Sequence, residues 1–235
     1  FINLSFNVVV ENIGGTNMAI DRVQSKKLEN TWIDITQPFT NTIGTWPGDT
    51  PFQYELSYLK EQTGSVNIGR FTTSTHTGTH ADAPFHFDST GPSIEAIDVN
   101  IYIGDALVVD VTGHAVITPE LLQHIDLSHV QRLLLKTSAH VNVEQFPTSI
   151  PVVDPSMGLF LKKQGIILLG LDVPSIDALD SKEVAAHHAL YLNGVHIVEN
   201  LLLQSISPGL YEFIGLPLKI VGADGAPLRA VLRRK

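Results

Sequence analysis

The chain has 235 residues, no cysteine and a formal net charge of −9, from 15 basic and 24 acidic residues. This length suits one large α/β or barrel domain, and the lack of cysteine excludes disulfides, thiolate metal ligands and cysteine nucleophiles. The acidic balance argues against a general affinity for nucleic acid, so a small molecule is the expected partner. No apolar run reaches the length of about 20 residues that a membrane-spanning helix needs, and we expect a reducing, cytoplasmic compartment.

The first 31 residues differ from the rest of the chain. They hold a short β-prone run at residues 6–10, two adjacent glycines and a polar stretch. The apolar start lacks a basic n-region and is interrupted by Asn and Glu, which disfavours a secretory signal. We interpret residues 1–31 as an N-terminal extension or a cloning remnant, and residues 32–235 as the folded domain.

Strand patterns dominate the first half of that domain. Alternating apolar and polar residues at Trp32–Thr36 predict a strand that ends before Pro38. A turn follows at residues 45–49, which read T-W-P-G-D. Residues 53–60 and 67–75 are expected to be strands leading into a histidine-rich stretch.

The second half alternates buried strands with helices. Apolar runs at residues 101–111, 132–137 and 166–173 predict strands, and the latter two suit burial on both faces. Further elements are expected from caps and turns: a helix starting at Thr118-Pro119-Glu120, a helix at 154–164 ended by Gly165, a helix capped by Asp180 or Ser181, a strand at 195–198, and closing strands at 211–214 and 228–232. This alternation predicts a mixed α/β sheet.

The histidine-rich stretch at residues 74–87 reads S-T-H-T-G-T-H-A-D-A-P-F-H-F. Imidazole and carboxylate together suit zinc or manganese, and hydrolytic sites commonly combine three protein ligands with a position for water. His76, His80 and Asp82 form such a set, with His86 left over. The competing interpretation is a threonine-rich strand with surface histidines.

The distance between His76 and His80 requires a bend in this stretch if both are to bind one metal. A straight strand would hold the Cα atoms of His76 and His80 about 13 Å apart, near the limit for sharing one metal. The segment must therefore bend, and Gly78 lies midway between the two histidines. Threonines, Gly78 and Pro84 all disfavour a helix here.

Two other features have two open interpretations each. Trp46 is either anchored in the local core or a stacking wall for an aromatic ligand. His187, His188 and Glu199 are either structural or a second ligand group. Adjacent helical residues differ by about 100° in direction, so one of the two histidines would point at a given site.

Three motifs then carry a family resemblance. H-T-G-T-H-A-D-A-P-F-H-F, T-W-P-G-D-T-P-F upstream, and A-A-H-H-A-L with H-I-V-E-N downstream are similar to the bacterial kynurenine formamidases (arylformamidases) of the metal-dependent cyclase family. The resemblance runs from about Trp32 to the C-terminus. It implies one domain with a mixed β-sheet, barrel-like core and flanking helices of the swivelling β/β/α type, assembled as a homodimer or a larger homo-oligomer.

The resemblance also implies a binuclear zinc site, with manganese as an alternative. His76, His80 and Asp82 would bind one ion, and Asp82 would bridge to a second ion on His187 and Glu199. His187 is preferred to His188 because twelve positions separate it from Glu199, as in the family.

His86 would be the acid–base residue, and Trp46 would lie against the substrate's aromatic ring. The implied reaction is hydrolysis of N-formyl-L-kynurenine to L-kynurenine and formate, in tryptophan degradation. Metal coordination lowers the pKa of water towards about 7, and a histidine of pKa near 6.5 suits proton transfer to the departing nitrogen. Two alternatives stay open: a related metal-dependent hydrolase of another aryl amide or lactam, such as isatin, and a non-enzymatic metal- or ligand-binding member of the same fold.

Overall fold

A computed structural model describes residues 31–139 and 142–235. The predicted extension, apart from its last residue, lies outside this part of the chain. No helix within the described ranges is long and apolar enough to cross a membrane. The strands are β1 (Ile33–Asp34), β2 (Gln53–Tyr58), β3 (Ile68–Thr72), β4 (His80–Asp82), β5 (Ile103–Asp110), β6 (Val116–Ile117), β7 (Arg132–Lys136), β8 (Val152–Val153), β9 (Leu168–Leu171), β10 (His196–Glu199), β11 (Gly209–Pro217) and β12 (Gly225–Arg234).

Four short helices accompany these strands in the described ranges. They are α1 (Lys60–Thr63), α2 (Pro119–Leu122), α3 (Ser156–Lys163) and α4 (Ala185–Leu192), with 3-10 turns at Pro84–His86, Ile94–Ala96 and Val99–Tyr102. Gly165 follows α3 with a φ of 77°, so the predicted C-terminal breaker is confirmed.

The main sheet closes into a barrel. Its order is β1-β12-β11-β5-β7-β9-β10-β4, and β4 also pairs with β12, so seven strands form a ring from which β1 extends. Strands β5, β7, β9 and β10 run parallel to one another, whereas β4, β11 and β12 pair antiparallel with their neighbours. The expected mixed, barrel-like α/β fold is confirmed.

Buried apolar side chains form one core inside the barrel and another beneath the helices. On β7, Leu134 belongs to the interior cluster, whereas Leu133 and Leu135 join the cluster that contains Met157 of α3 and Leu190 of α4. Successive strand side chains point to opposite faces, so this strand is buried on both sides. The near-continuous apolar run at 132–137 thus has its predicted explanation.

The helix that carries the two histidines starts later than predicted. It begins at Ala185 rather than after Asp180 or Ser181. The Ser181 hydroxyl accepts a bond from the Val184 amide at 3.1 Å, and Val184 has a φ of 40°. A β-branched residue in this conformation costs about 1–3 kcal/mol, and the chain reverses here instead of continuing a helix.

Strands β2 and β3 form a hairpin outside the barrel. They pair with each other in a separate two-stranded sheet, and every residue of both strands is exposed. The expected strands at 53–60 and 67–75 are therefore present in shortened form. The exposed large apolar side chains of the hairpin include Tyr54, Leu56, Tyr58, Ile68 and Phe71.

Candidate active site

Barrel closure brings β4 between β10 and β12 at one end of the sheet. His80 is the register partner of Glu199, and Asp82 that of Gly225. Helix α4 packs against β10 and supplies His187 from the next layer. Two segments more than a hundred residues apart in sequence therefore meet at one point.

The chain bends at Gly78, as the expected separation of His76 and His80 in a straight strand required. Gly78 has a φ of 64°, and the rings of His76 and His80 lie with their centroids 5.0 Å apart. The Asn200 side chain donates to the Gly78 carbonyl at 3.1 Å, and the Thr79 hydroxyl donates to the Asn200 carbonyl at 2.6 Å. The bend is therefore tied to the residue that follows Glu199.

Each of three histidines points one ring nitrogen at Asp82. His76 Nδ1 lies 3.1 Å from Asp82 Oδ1, and His80 Nε2 lies 3.3 Å from the same oxygen. His187 Nε2 lies 3.4 Å from Asp82 Oδ2. Glu199 completes the group, with its oxygens 3.4 Å from His80 Nε2 and 3.7 Å from His187 Nε2. The other four predicted ligand residues therefore come together around the buried carboxylate of Asp82.

The other ring nitrogen of each histidine has an acceptor of its own. His80 Nδ1 donates to the Gly78 carbonyl at 2.8 Å, and His187 Nδ1 donates to Asp177 Oδ2 at 2.6 Å. His76 Nε2 donates to Asp224 Oδ2 at 3.0 Å. These bonds keep a proton on the outer nitrogen of each ring, so the inner nitrogen is the one that gives up its proton when metal binds.

The donor atoms fall into two groups that share Asp82. His76, His80 and Asp82 offer atoms within 4.8 Å of one another, and so do Asp82, His187 and Glu199. Asp82 Oδ2 is buried without a hydrogen-bond partner. An orphaned buried carboxylate oxygen is costly unless a cation satisfies it, so this nitrogen and oxygen set fits a divalent metal.

The electrostatics of the metal-free chain agree with a cation site. Burial opposes protonation of His80 and His187, but the facing carboxylates outweigh it and raise the pKa of both to about 10. In the same way, Asp224 and Asp82 raise the pKa of His76 to about 9. Burial and the charge of Asp82 raise the pKa of Glu199. In the metal-free chain, the carboxylates keep the three imidazoles protonated, and this positive charge lies where a bound metal would supply it.

His86 lies beside this group without pointing at Asp82. It ends the 3-10 turn that begins at Pro84, its side chain is 40% exposed, and its ring centroid is 3.9 Å from that of His76. Burial, followed by the charge on His76, lowers the pKa of His86. A neutral imidazole open to a cavity can accept a proton near neutral pH.

His188 points elsewhere, in agreement with the single-face argument. Its ring packs against Phe87 with centroids 5.4 Å apart. His187 is buried and faces Asp82. Of the two adjacent histidines, only His187 reaches the group.

A cavity of about 470 Å³ opens above these residues, and His76, His80, His86, His187 and Glu199 lie at its foot. Trp46 lines it and packs edge to face against Phe146, with ring centroids 5.0 Å apart. Trp46 is 40% exposed, so it is a wall of the cavity rather than part of a closed core. The wall suits a flat aromatic ligand.

Two site carboxylates were missed by sequence reasoning. Asp177 accepts from His187 Nδ1 and from the amides of Ala186 and His187. Asp224 accepts from His76, and its Oδ2 also lies 3.4 Å from His86 Nδ1. The sequence signal for these two residues was weak. Asp177 precedes α4 and Asp224 precedes β12, each in a turn-forming sequence, but many surface aspartates have such a position.

Comparison with known proteins decides the family. The Cyclase family model ("Putative cyclase") matches residues 33–178. A kynurenine formamidase from Bacillus cytotoxicus is 52% identical over 202 residues, covering 86% of this chain and 97% of the relative. The chain belongs to the cyclase family. The predicted resemblance is thus confirmed.

Solved structures agree on the fold. A predicted metal-dependent hydrolase from Bacillus stearothermophilus superposes with a TM-score of 0.73 at 27% identity, covering 86% of this chain and 97% of that one. Isatin hydrolase A from Labrenzia aggregata also gives 0.73, at 21% identity over 91% and 98% of the two chains. The second comparison speaks for the shared fold alone.

Proposed function

We propose that this member of the cyclase family hydrolyses N-formyl-L-kynurenine to L-kynurenine and formate. One observation carries the proposal: three inward-facing imidazoles and the Glu199 carboxylate surround the buried Asp82 carboxylate beneath a cavity that Trp46 and Phe146 line. Hydrolytic metal chemistry and an aryl ring would both be accommodated there. The 52% identity to a kynurenine formamidase supports this choice of substrate.

Two zinc ions are the proposed cofactor, with manganese as the alternative. His76, His80 and Asp82 would hold one ion, and His187 and Glu199 would hold the other, with Asp82 shared. When bound, divalent metal lowers the pKa of a coordinated water towards about 7 and polarises a carbonyl oxygen. The presence of two donor groups that have only Asp82 in common supports two cations over one.

His86 is the proposed acid–base residue. Its depressed pKa keeps the ring neutral at pH 7, so it can take a proton from the attacking water. As the bond between the formyl carbon and the aniline nitrogen breaks, His86 returns that proton to the nitrogen. The formyl group leaves as formate, the amine leaves neutral and the second proton of the water passes to solvent, so the reaction needs no covalent enzyme intermediate.

The cavity lining favours a substrate that carries an ammonium group over one that lacks it. Asp49 lies on the same turn as Trp46, whose carbonyl accepts from the Asp49 amide at 2.9 Å. No lysine or arginine is among the described residues that line the cavity. With the substrate ring against Trp46, Asp49 supplies the negative charge that an α-ammonium group needs.

We propose a homodimer or larger homo-oligomer as the working assembly. The hairpin of β2 and β3 supports it, since Tyr54, Tyr58 and Phe71 are each at least 50% exposed. A cluster of large apolar side chains on a projecting hairpin is characteristic of an interaction surface. A cytoplasmic location and the lack of nucleic-acid and membrane partners stay predictions from the sequence.

The test is a substrate panel on metal-loaded protein. N-formyl-L-kynurenine, N-formylaniline, isatin and a simple aliphatic formamide are compared by kcat/KM. The proposal expects the highest value for N-formyl-L-kynurenine. Faster opening of isatin would establish the lactam hydrolase instead, and metal binding with no turnover of any compound would establish a non-enzymatic binding protein.

A further inference from the structure

Asp224 reaches the site through the closure of the barrel. It precedes β12, its carbonyl accepts from the Ala83 amide at 2.9 Å, and the next residue, Gly225, pairs with Asp82. The Asp224 side chain is 39% exposed and lies at the edge of the site. Its position is therefore set by the same strand pairing that places Asp82.

One oxygen of Asp224 serves two histidines with different proposed roles. Oδ2 lies 3.0 Å from His76 Nε2 and 3.4 Å from His86 Nδ1. The other oxygen, Oδ1, accepts from the Thr75 hydroxyl at 2.8 Å, which fixes the carboxylate's own rotation. The His76 and His86 rings lie 3.9 Å apart with an interplanar angle of 36°.

We propose that Asp224 is a positioning residue that orients the metal-binding nitrogen of His76 and the proton-carrying ring of His86 through a single carboxylate oxygen. The proposal rests on the proposed function. It assigns Asp224 two separable effects. Through His76 it governs metal affinity, and through His86 it governs turnover.

Packing against the backbone fixes the position of the His76 ring but not which of its nitrogens is protonated, and the Asp224 carboxylate decides the latter. A Cβ placed at Gly225 would come within 2.8 Å of His76 Cε1, so the ring already packs against the chain on that side. Packing limits where the ring sits, but only a directional acceptor selects which nitrogen carries the proton. Asp224 provides that acceptor at Nε2 and thereby leaves the lone pair of Nδ1 facing Asp82.

The competing role for Asp224 is direct metal binding. His76, His86 and Asp224 also offer donor atoms within 4.8 Å of one another. In that arrangement His76 Nε2 would face a metal, and its proton could not be donated to Asp224. The two roles predict different metal stoichiometries, so they can be separated.

The experiment compares Asp224→Ala and Asp224→Asn with wild type, using Asp88→Ala as the matched control. Asp88 is a half-buried aspartate two residues from His86 that bonds to Thr90 and to none of the site histidines. Zinc affinity is measured on metal-free protein by competition with a chromophoric chelator. Kcat and KM for N-formyl-L-kynurenine are measured at saturating zinc, and circular dichroism checks folding.

Asp224→Ala is expected to weaken zinc affinity and to lower kcat at saturating zinc, each by about 10–100-fold, with KM nearly unchanged. Asp224→Asn, which keeps one acceptor oxygen, should fall between this variant and wild type, and it carries the test if the alanine variant does not fold. In a His86→Ala background, Asp224→Ala should lower kcat no further but should still weaken zinc binding.

Three results would overturn the proposal. The first is wild-type zinc affinity and kcat in both Asp224 variants. The second is loss of one whole metal equivalent from Asp224→Ala at saturating zinc. The third is a decrease in kcat on Asp224→Ala that is as large in the His86→Ala background as in wild type. A wild-type protein that fails to hydrolyse N-formyl-L-kynurenine would instead refute the proposed function, while the zinc-affinity arm would still judge the role of Asp224 at His76.

Discussion

Asp177 connects the start of α4 to the site, and its removal should weaken both. Oδ1 accepts from the Ala186 amide at 3.0 Å, and Oδ2 accepts from the His187 amide at 3.1 Å and from His187 Nδ1 at 2.6 Å. Burial favours a protonated carboxyl, but these donors outweigh it and lower the pKa of Asp177. One carboxylate thus caps the helix and holds the imidazole.

The cost of Asp177→Ala follows from these bonds. Loss of a helix cap costs about 1 kcal/mol. Loss of a charge-assisted hydrogen bond to a buried imidazole costs about 1.5–3 kcal/mol. We therefore expect the metal-free variant to be about 2.5–4 kcal/mol less stable. Asp177→Asn should lose about half as much, because its single acceptor oxygen can serve the Ala186 side or the His187 side but not both.

Urea unfolding of the metal-free proteins at pH 7, followed by far-ultraviolet circular dichroism, measures this difference. With a slope of about 2 kcal/mol per molar, the midpoint should fall by about 1.2–2 M for the alanine variant. The exposed, locally bonded Asp126 provides the control Asp126→Ala. If Asp177→Ala unfolds at the wild-type midpoint, the carboxylate does not hold α4 and His187 as described.

Four other predictions test the site. His187→Ala should lose about one equivalent of bound zinc by metal analysis, whereas His188→Ala should keep all of it; equal losses would contradict the assignment. In the metal-free chain the pKa values of His76, His80 and His187 are raised to about 9 or 10, so these imidazoles remain protonated at pH 8. Zinc binding at pH 8 should therefore release more than one proton per chain, which calorimetry in two buffers of different ionisation enthalpy measures. Histidines with ordinary pKa values would release almost none. The same shifts stabilise the metal-free chain fully below the unfolded pKa of about 6.5, so its stability should fall as pH rises through about 9 to 10. Asp49→Asn should raise KM for N-formyl-L-kynurenine by about 5–10-fold, because an exposed ion pair contributes about 1 kcal/mol to binding. KM for N-formylaniline, which has no ammonium group, should stay unchanged. Equal effects on the two substrates would refute ammonium recognition.

Local sequence was sufficient for the first half of the site. His76, His80 and Asp82 lie within seven positions, so their separation could be bounded by chain geometry alone. That bound required a bend, and Gly78 was the residue able to make one. The observed φ of 64° confirms the inference.

Contacts across the barrel could not be predicted in this way. Asp224 meets His76 because β12 pairs with β4, and no periodicity in either segment specifies that pairing. Family resemblance, rather than spacing, pointed to His187 and Glu199. Asp177 and Asp224 have no motif of their own, so only the folded chain reveals them.

The start of α4 shows how cap chemistry can be assigned to the wrong residue. Asp180 and Ser181 have suitable side chains, but the helix begins four residues after Ser181. Its cap comes from Asp177, which lies eight residues before Ala185 in sequence and reaches the helix across a reversal at Val184. Local preference identified the right kind of side chain but not the path of the chain.

In the proposed reaction, hydrolysis depends on metal held by the group around Asp82. The most direct test follows N-formyl-L-kynurenine hydrolysis in protein stripped by a chelator and then titrated with zinc. We expect the stripped protein to be inactive, and its activity to return in proportion to added zinc and to level off at two equivalents per chain. Full activity in protein shown by elemental analysis to be metal-free would contradict it.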